Sequence, residues 1–170
     1  MLSKEILEKL NNQIDVEFYS SNLYLQMASW CEANNYTGAA KFLMEHADEE
    51  MGHMRRIFNY INDTGAQAIV PALEQPPTSY DSLYHVFKEI YQHECYITST
   101  INELVAATTR ENDYSTLNFL QWYVSEQHEE EHLFMGIVSR MEMIEGSRTG
   151  LLMIDKELAA SANVRATALS

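Results

Sequence analysis

The sequence predicts an all-α fold: a four-helix bundle with a long crossover between helices 2 and 3 and a short fifth helix at the C-terminal end. Four long segments carry apolar residues at spacings of three and four, which is the helical period. Gly and Pro are scarce, at 6 and 3 residues, so little interrupts these segments. One connection is much longer than the others and contains Pro76-Pro77, as expected of a crossover.

The first two helices are expected over about Lys4 to Ala33 and Gly38 to Thr64, where apolar residues recur on one face. Asn34-Asn35 and Thr64-Gly65 are residue types that end helices or begin turns. Because the first connection is short, these helices are predicted to form an antiparallel hairpin.

The stretch from Gly65 to about Asp81 can run the length of the bundle and begin a second hairpin. This hairpin is expected over about Ser82 to Thr109 and Tyr114 to Ile144. Asp113 is placed to cap the start of the fourth helix. The segment Gly150–Ala160 predicts a short fifth helix.

The composition excludes several classes of partner. Asp and Glu number 25 against 11 Lys and Arg, for a formal charge of −14, and no basic stripe is present to bind nucleic acid. No apolar run reaches the roughly 20 residues that span a bilayer. Two widely separated cysteines and the start of the chain, which lacks an apolar signal-peptide core, predict a reducing, cytoplasmic location.

Four carboxylates lie near the middle of the four apolar stripes and are therefore predicted to face the interior: Glu17, Glu50, Glu94 and Glu130. Unpaired ions cost several kcal/mol to bury, and no Lys or Arg occupies the stripes at that level. Two divalent cations would balance the four charges, with His53 neutral. The alternative for any single Glu is a hydrated seam or a distant basic partner.

The ligands can be assigned from their spacing. One Glu-x-x-His is complete at Glu50-Met51-Gly52-His53, but its counterpart ends in Gln127 and Glu130. Such bundles otherwise use one Glu from each of two helices and Glu-x-x-His from the other two. Glu17, Glu50 and His53 are predicted to bind one metal, and Glu50, Glu94 and Glu130 the other. Oxygen ligands with one imidazole suit iron or manganese.

Taken together, these motifs resemble bacterial non-haem ferritins from the first residues to about Leu158. The matching segments are Glu17, Tyr24, Glu49-Glu50-Met51-Gly52-His53, Glu94 and the run FLQWYVSEQHEEE from Phe119 to Glu131. By this resemblance, residues 1–160 form one ferritin-like di-iron domain. Residues 161–170 are small and polar enough to form a flexible tail.

The resemblance also implies an activity. The chain would be a ferroxidase that oxidises Fe(II) with O2 or H2O2 at two iron positions and stores ferric mineral in a homo-oligomeric shell of 24 subunits. Gln127 would lie close to the second iron, and Tyr24 beside the centre, although by position alone Tyr24 is a core residue. Met51 follows Glu50 as the haem-binding Met does in bacterioferritins, but the mismatched Gln127 and Glu130 favour the non-haem branch, so no haem is predicted.

A third iron position is implied at Glu49, Glu126, Glu129 and Glu130. Glu126, Glu129 and Glu130 are also helix neighbours whose like charges repel, and a cation would relieve them. The alternative is a solvated acidic patch. His128 and His132 are expected at the surface or an interface.

Two other classes of function are alternatives to iron storage. A di-iron oxidase or peroxidase would act on another substrate without storing metal, but the chain has no Cys-rich segment for electron delivery. A purely structural helical module should have apolar residues where the inward carboxylates stand.

Overall fold

The computed structural model describes residues 2–144 and 146–168, with the backbone alone for 163–168. This part of the chain contains five helices: α1 Lys4–Ala33, α2 Thr37–Asp63, α3 Leu83–Glu111, α4 Tyr114–Met143 and α5 Arg148–Ala168. The predicted bundle with its crossover and fifth helix is confirmed, and α1 to α4 begin and end within two residues of the predicted positions. Among the described residues, no helix is both long and apolar enough to cross a bilayer.

Side chains cap the helices where the sequence changes from turn to helical periodicity. The predicted cap at Asp113 is confirmed, because its carboxylate accepts a hydrogen bond of 3.0 Å from the backbone N–H of Thr116. Ser3 and Ser82 cap α1 and α3 in the same way. Gly65, just after α2, has a φ of 82°, which glycine adopts without strain.

The crossover, residues 64–82, is attached to the bundle at both ends. The N–H of Ile69 donates a 2.7 Å hydrogen bond to the side chain of Asn11 on α1. Tyr80 is buried, and its ring meets that of Trp30 edge-on at 5.7 Å. These contacts hold the crossover along the bundle, so α3 begins at the end of the bundle where α2 also begins and runs parallel to it, which a short turn would not allow.

The apolar interior consists of two separate clusters. One cluster, which we call the α5-side core, includes Tyr24, Phe42, Phe87, Phe134 and Ile154. The other, the far core, includes Leu10, Ile57, Ile97, Ile101 and Leu120. Between them lies a buried polar layer, which we define by seven side chains: Glu17, His46, Glu50, His53, Glu94, Gln127 and Glu130.

The fifth helix is longer than the sequence indicates, since it runs from Arg148 to Ala168 instead of over Gly150–Ala160. Its Asp155 carboxylate accepts hydrogen bonds from the backbone N–H groups of Gly38, at 3.2 Å, and Ala39, at 2.8 Å. Asp155 therefore caps α2 from another helix, a long-range contact with no sequence signal. Leu169 and Ser170 lie outside the described residues, and flexibility of the segment 161–170 stays a prediction.

Candidate metal centre

The five predicted metal ligands and Gln127 are all buried in the interior of the bundle. The exposed fractions are 1% for Glu17, 2% for Glu50, 5% for His53, 0% for Glu94, 3% for Gln127 and 1% for Glu130. Each comes from the apolar face of its helix, so the same packing that buries the neighbouring Ile and Leu residues also buries these polar groups. Their burial is confirmed, and their role as metal ligands stays a prediction.

Glu17, Glu50 and His53 form the first group of candidate ligands, with ligand atoms within 4.8 Å of one another. Nδ1 of His53 lies 3.1 Å from Oε2 of Glu50 and 3.8 Å from Oε2 of Glu17. No described group donates a hydrogen bond to this buried Glu17 oxygen. Since a buried carboxylate oxygen requires a donor or a cation, a metal ion fits this position.

Gln13 supports the first group and was not identified from the sequence. It is fully buried, and its amide Nε2 donates a 2.8 Å hydrogen bond to the other oxygen of Glu17. One oxygen of Glu17 is therefore held by α1 itself, and the other faces His53. The available signal was the spacing of four residues, which places Gln13 and Glu17 on the same face of α1.

Glu94 lies between two donors from other helices. The hydroxyl of Tyr24 on α1 donates a short hydrogen bond to Oε1 of Glu94. The amide of Gln127 on α4 donates to Oε2 at 3.0 Å. Tyr24 and Gln127 therefore orient the carboxylate of Glu94, and their place beside a second metal ion stays a prediction.

The residues implied for a third position are only partly brought together. Two further groups of candidate ligands are present, His46 with Glu49 and Glu130, and Glu49 with His53 and Glu126. Glu129 is exposed and belongs to neither group, so its part in a third site stays a prediction. His128 and His132 are exposed, as expected.

Burial and neighbouring charges disfavour the ionised forms of Glu50 and Glu94 when no cation is bound. Burial raises the pKa of Glu50 well above its usual range, and the neighbouring Glu94 and Glu17 charges raise it further. Burial likewise raises the pKa of Glu94 to about 7, against opposing hydrogen bonds from Tyr24 and Gln127. Burial would lower the pKa of His53, but the neighbouring carboxylates of Glu17 and Glu50 outweigh it and raise this pKa to about 11. Metal binding must therefore displace protons.

The raised pKa of Glu94 predicts that the metal-free protein is less stable at pH 8 than at pH 5. Folding raises the pKa of Glu94 from 4.5 to about 7. The protonated side chain therefore contributes fully to the free energy of unfolding below pH 4.5, and this contribution is lost as the pH rises through 7. The loss should be on the order of 2–3 kcal/mol. Thermal unfolding from pH 5 to 8 should show a flatter profile for Glu94→Gln than for the wild type. The exposed Glu111→Gln is the control, and equal slopes in all three proteins would contradict the prediction.

Tyr24→Phe should weaken metal binding on the Glu94 side of the centre. Loss of the phenol removes a hydrogen bond that stabilises ionised Glu94, so the pKa of Glu94 should rise further above 7. We expect roughly a 10-fold loss of Fe(II) affinity in anaerobic titrations, larger at pH 6.5 than at pH 7.5. The control is Tyr123→Phe, since that hydroxyl donates to the backbone carbonyl of His53 at 2.8 Å. Equal losses in both variants would show general packing damage.

Comparison with known proteins places this geometry in context. The Ferritin-like domain family matches residues 7–144. The chain is 52% identical over 158 residues to a probable bacterial non-heme ferritin-like protein of Haemophilus influenzae, covering 93% of this chain and 96% of that protein. It is 51% identical to a bacterial non-heme ferritin of Escherichia coli O6:H1, with the same coverage. The open-pore ferritin of Archaeoglobus fulgidus superposes with a TM-score of 0.92 at 38% identity, covering 94% of this chain and 98% of that one.

Proposed function

The chain belongs to the ferritin family of iron-storage proteins, and from this premise we propose that it oxidises Fe(II) with dioxygen at the buried polar layer and stores the ferric product in a shell of 24 copies. The observation that carries the proposal is the group formed by Glu17, Glu50 and His53, whose ligand atoms lie within 4.8 Å of one another in the centre of the bundle. An inert bundle would have apolar side chains there.

Fe(II) is the substrate, and the side chains supply two adjacent binding positions. Glu17, Glu50 and His53 would bind the first iron, and Glu50, Glu94 and Glu130 the second. Glu50 contributes to both, so it sets the distance between the two ions. Each Fe(II) gives up one electron, and a pair can therefore deliver two electrons together to one oxygen molecule.

Gln127 makes the second position the weaker one. A neutral amide occupies the place of a bridging carboxylate, and its Nε2 donates a 3.0 Å hydrogen bond to Glu94. The second iron therefore has fewer anionic ligands than in a symmetric centre. Weak retention suits a storage protein, because the ferric product has to leave the site before the next Fe(II) pair can bind.

A route away from the centre is provided on the α2 and α4 side. Glu130 is buried, Glu49 and Glu126 are half-buried, and Glu129 is exposed. The exposure of these four carboxylates therefore increases from the interior to the solvent. We propose that these four carboxylates form a third iron position, which assists oxidation or transfer. The like charges of this cluster favour cation binding, since a cation relieves their repulsion.

The surface supports assembly into a shell. Several large apolar side chains are more than half exposed in the single chain, on different parts of its surface: Leu25, Met44, Ile69, Val70, Tyr114 and Met143. Apolar side chains exposed to this extent are often covered in an oligomer. The free thiols of Cys31 and Cys95 accord with the reducing cytoplasm, where we place the protein.

Aerobic iron loading tests the proposal. Fe(II) is added in large excess, and the ferric iron that elutes with the protein from a sizing column is measured. We expect far more than three irons per chain, in a particle much larger than one subunit. A small particle with only about two irons per chain would instead indicate a di-iron oxidase that acts on another substrate.

A further inference from the structure

Arg55 and Arg56 are adjacent, exposed cations on α2, in a chain whose formal charge is −14. Neither arginine forms an ion pair with a carboxylate among the described side chains, whereas Arg110, for example, pairs with Glu5 on another helix. Acidic residues outnumber basic ones by more than two to one, so two neighbouring cations without a carboxylate partner are unusual in this chain. Such a pair is available to bind an anion.

Two aromatic rings hold Arg56 in place. The guanidinium carbon of Arg56 lies 4.4 Å from the ring centre of Trp122 and 5.7 Å from that of Phe119, both on α4. The five N–H groups of a guanidinium lie in its plane and point outward, so a contact with an aromatic ring leaves most of them able to donate hydrogen bonds. Because Arg56 is already held against α4, binding a ligand costs less side-chain entropy than it would for a mobile arginine.

Both arginines line one open depression of about 480 Å³ between α2 and α4. Asn59 also lines this depression and adds a side-chain amide that can donate hydrogen bonds. Among the described residues of the lining, the one carboxylate belongs to Asp63, so the formal charge of the depression stays positive. A negatively charged ligand therefore fits this depression better than a cation does.

The donors of the depression favour a small tetrahedral oxyanion. Arginine binds phosphate through two parallel N–H groups, and donors from several side chains match the oxygens of a tetrahedral ion. Tyr60 stacks on Phe119 with a ring-centre distance of 3.9 Å, and its hydroxyl pairs with that of Thr116 at 2.9 Å. Since these rings are already stacked on each other, a ligand with an aromatic base gains little here, and inorganic phosphate fits better than a nucleotide.

We propose that Arg55, Arg56 and Asn59 form a binding site for inorganic phosphate in this depression. The site lies close to the candidate metal centre, because the Trp122 ring that contacts Arg56 also meets the ring of His53 edge-on at 5.2 Å. Phosphate bound there would supply negative charge to ferric ions that leave the centre. Phosphate binding itself follows from the side chains alone, and only this role rests on the proposed function.

Phosphate binding to the metal-free, assembled protein tests this site. Equilibrium dialysis with radiolabelled phosphate at pH 8 should show saturable binding close to one phosphate per chain. Absence of saturable binding would overturn the inference and leave the iron centre untouched; it is the outcome expected if carboxylates of a neighbouring copy cover the arginines. Tighter binding of adenosine monophosphate than of inorganic phosphate would overturn the choice of ligand. Failed iron loading together with saturable phosphate binding would count against the proposed function and support this site.

Variants of Arg56 separate a built site from general attraction to positive charge. Arg56→Gln should weaken phosphate binding roughly 10-fold or more, since it removes the arginine that Trp122 holds in place. Arg56→Lys keeps the charge but not the paired N–H groups, so it should also weaken binding, by a smaller factor.

Arg148→Gln is the control, because it removes the same charge from an exposed position on α5 and should bind phosphate like the wild type. Equal affinities in Arg56→Gln and Arg148→Gln would overturn the site, since binding would then follow the overall charge alone. A sizing column checks assembly of each variant. If Arg56→Gln fails to assemble, Arg55→Gln at the neighbouring exposed position takes its place, with the same expected loss.

Discussion

Glu50→Ala is expected to slow Fe(II) oxidation by at least about 100-fold, since Glu50 is the one side chain assigned to both iron positions. It is 2% exposed and lies 3.1 Å from His53. Without Glu50, the first position keeps two ligands and the second loses its link to the first, so no pair of ions is held at a fixed distance.

The same variant should still assemble. Removing a buried carboxylate leaves a cavity, but it also removes the free energy cost of burying a crowded charge, and the two effects oppose each other. Stopped-flow measurement of ferric product gives the rate, and a sizing column gives the particle size. Asp48→Ala, at an exposed position on the same helix, is the control. A wild-type oxidation rate in assembled Glu50→Ala would overturn the proposed iron centre.

Gly38→Ala is expected to destabilise the protein strongly, by about 2–4 kcal/mol, because α5 approaches α2 too closely at this position for any side chain. A Cβ atom on Gly38 would lie 1.8 Å from the backbone oxygen of Asp155. A backbone atom cannot rotate away, so α5 has to shift, and the hydrogen bonds from Gly38 and Ala39 to Asp155 would be lost.

Gly52→Ala is the matched control, because it makes the same chemical change in the same helix with nothing within 4 Å of the added atom. Alanine at an open helical position should stabilise α2 by about 0.5–1 kcal/mol. Thermal unfolding of the metal-free proteins should therefore show opposite shifts, with a Tm decrease of roughly 5–15 °C for Gly38→Ala. A similar Tm for both variants would contradict the close approach of α5.

The helices and the burial of the carboxylates could be predicted because both follow from the helical period. Glu17, Glu50, Glu94 and Glu130 each stand three or four residues from apolar neighbours, and a helix places such residues on one face. The four apolar faces meet in one interior, so the carboxylates meet as well. The prediction needed no knowledge of how the helices cross.

The contacts that orient the site were harder to predict. Nδ1 of the buried His46 lies 2.9 Å from the backbone carbonyl oxygen of Phe42, but periodicity gives only the face of a helix and not the orientation of a ring. The spacing of Glu129 from Glu126 and Glu130 likewise did not show that its side chain is exposed, and its part in a shared cation site stays a prediction. Asp155 caps a helix more than a hundred residues away in sequence, and no local pattern marks such a contact.

The separation of the interior into two apolar cores has a consequence for the dynamics of the chain. The α5-side core and the far core are joined through a layer of polar groups, in which burial and the nearby carboxylates raise the pKa of Glu50 in the metal-free protein. Each core can then open as a partly independent cooperative unit. Bound metal would link the four helices across the layer. Backbone amides near Glu17, Glu50, Glu94 and Glu130 should therefore exchange hydrogen for deuterium much more slowly once redox-inert Zn(II) is bound, and the two ends of the bundle should then exchange as one unit.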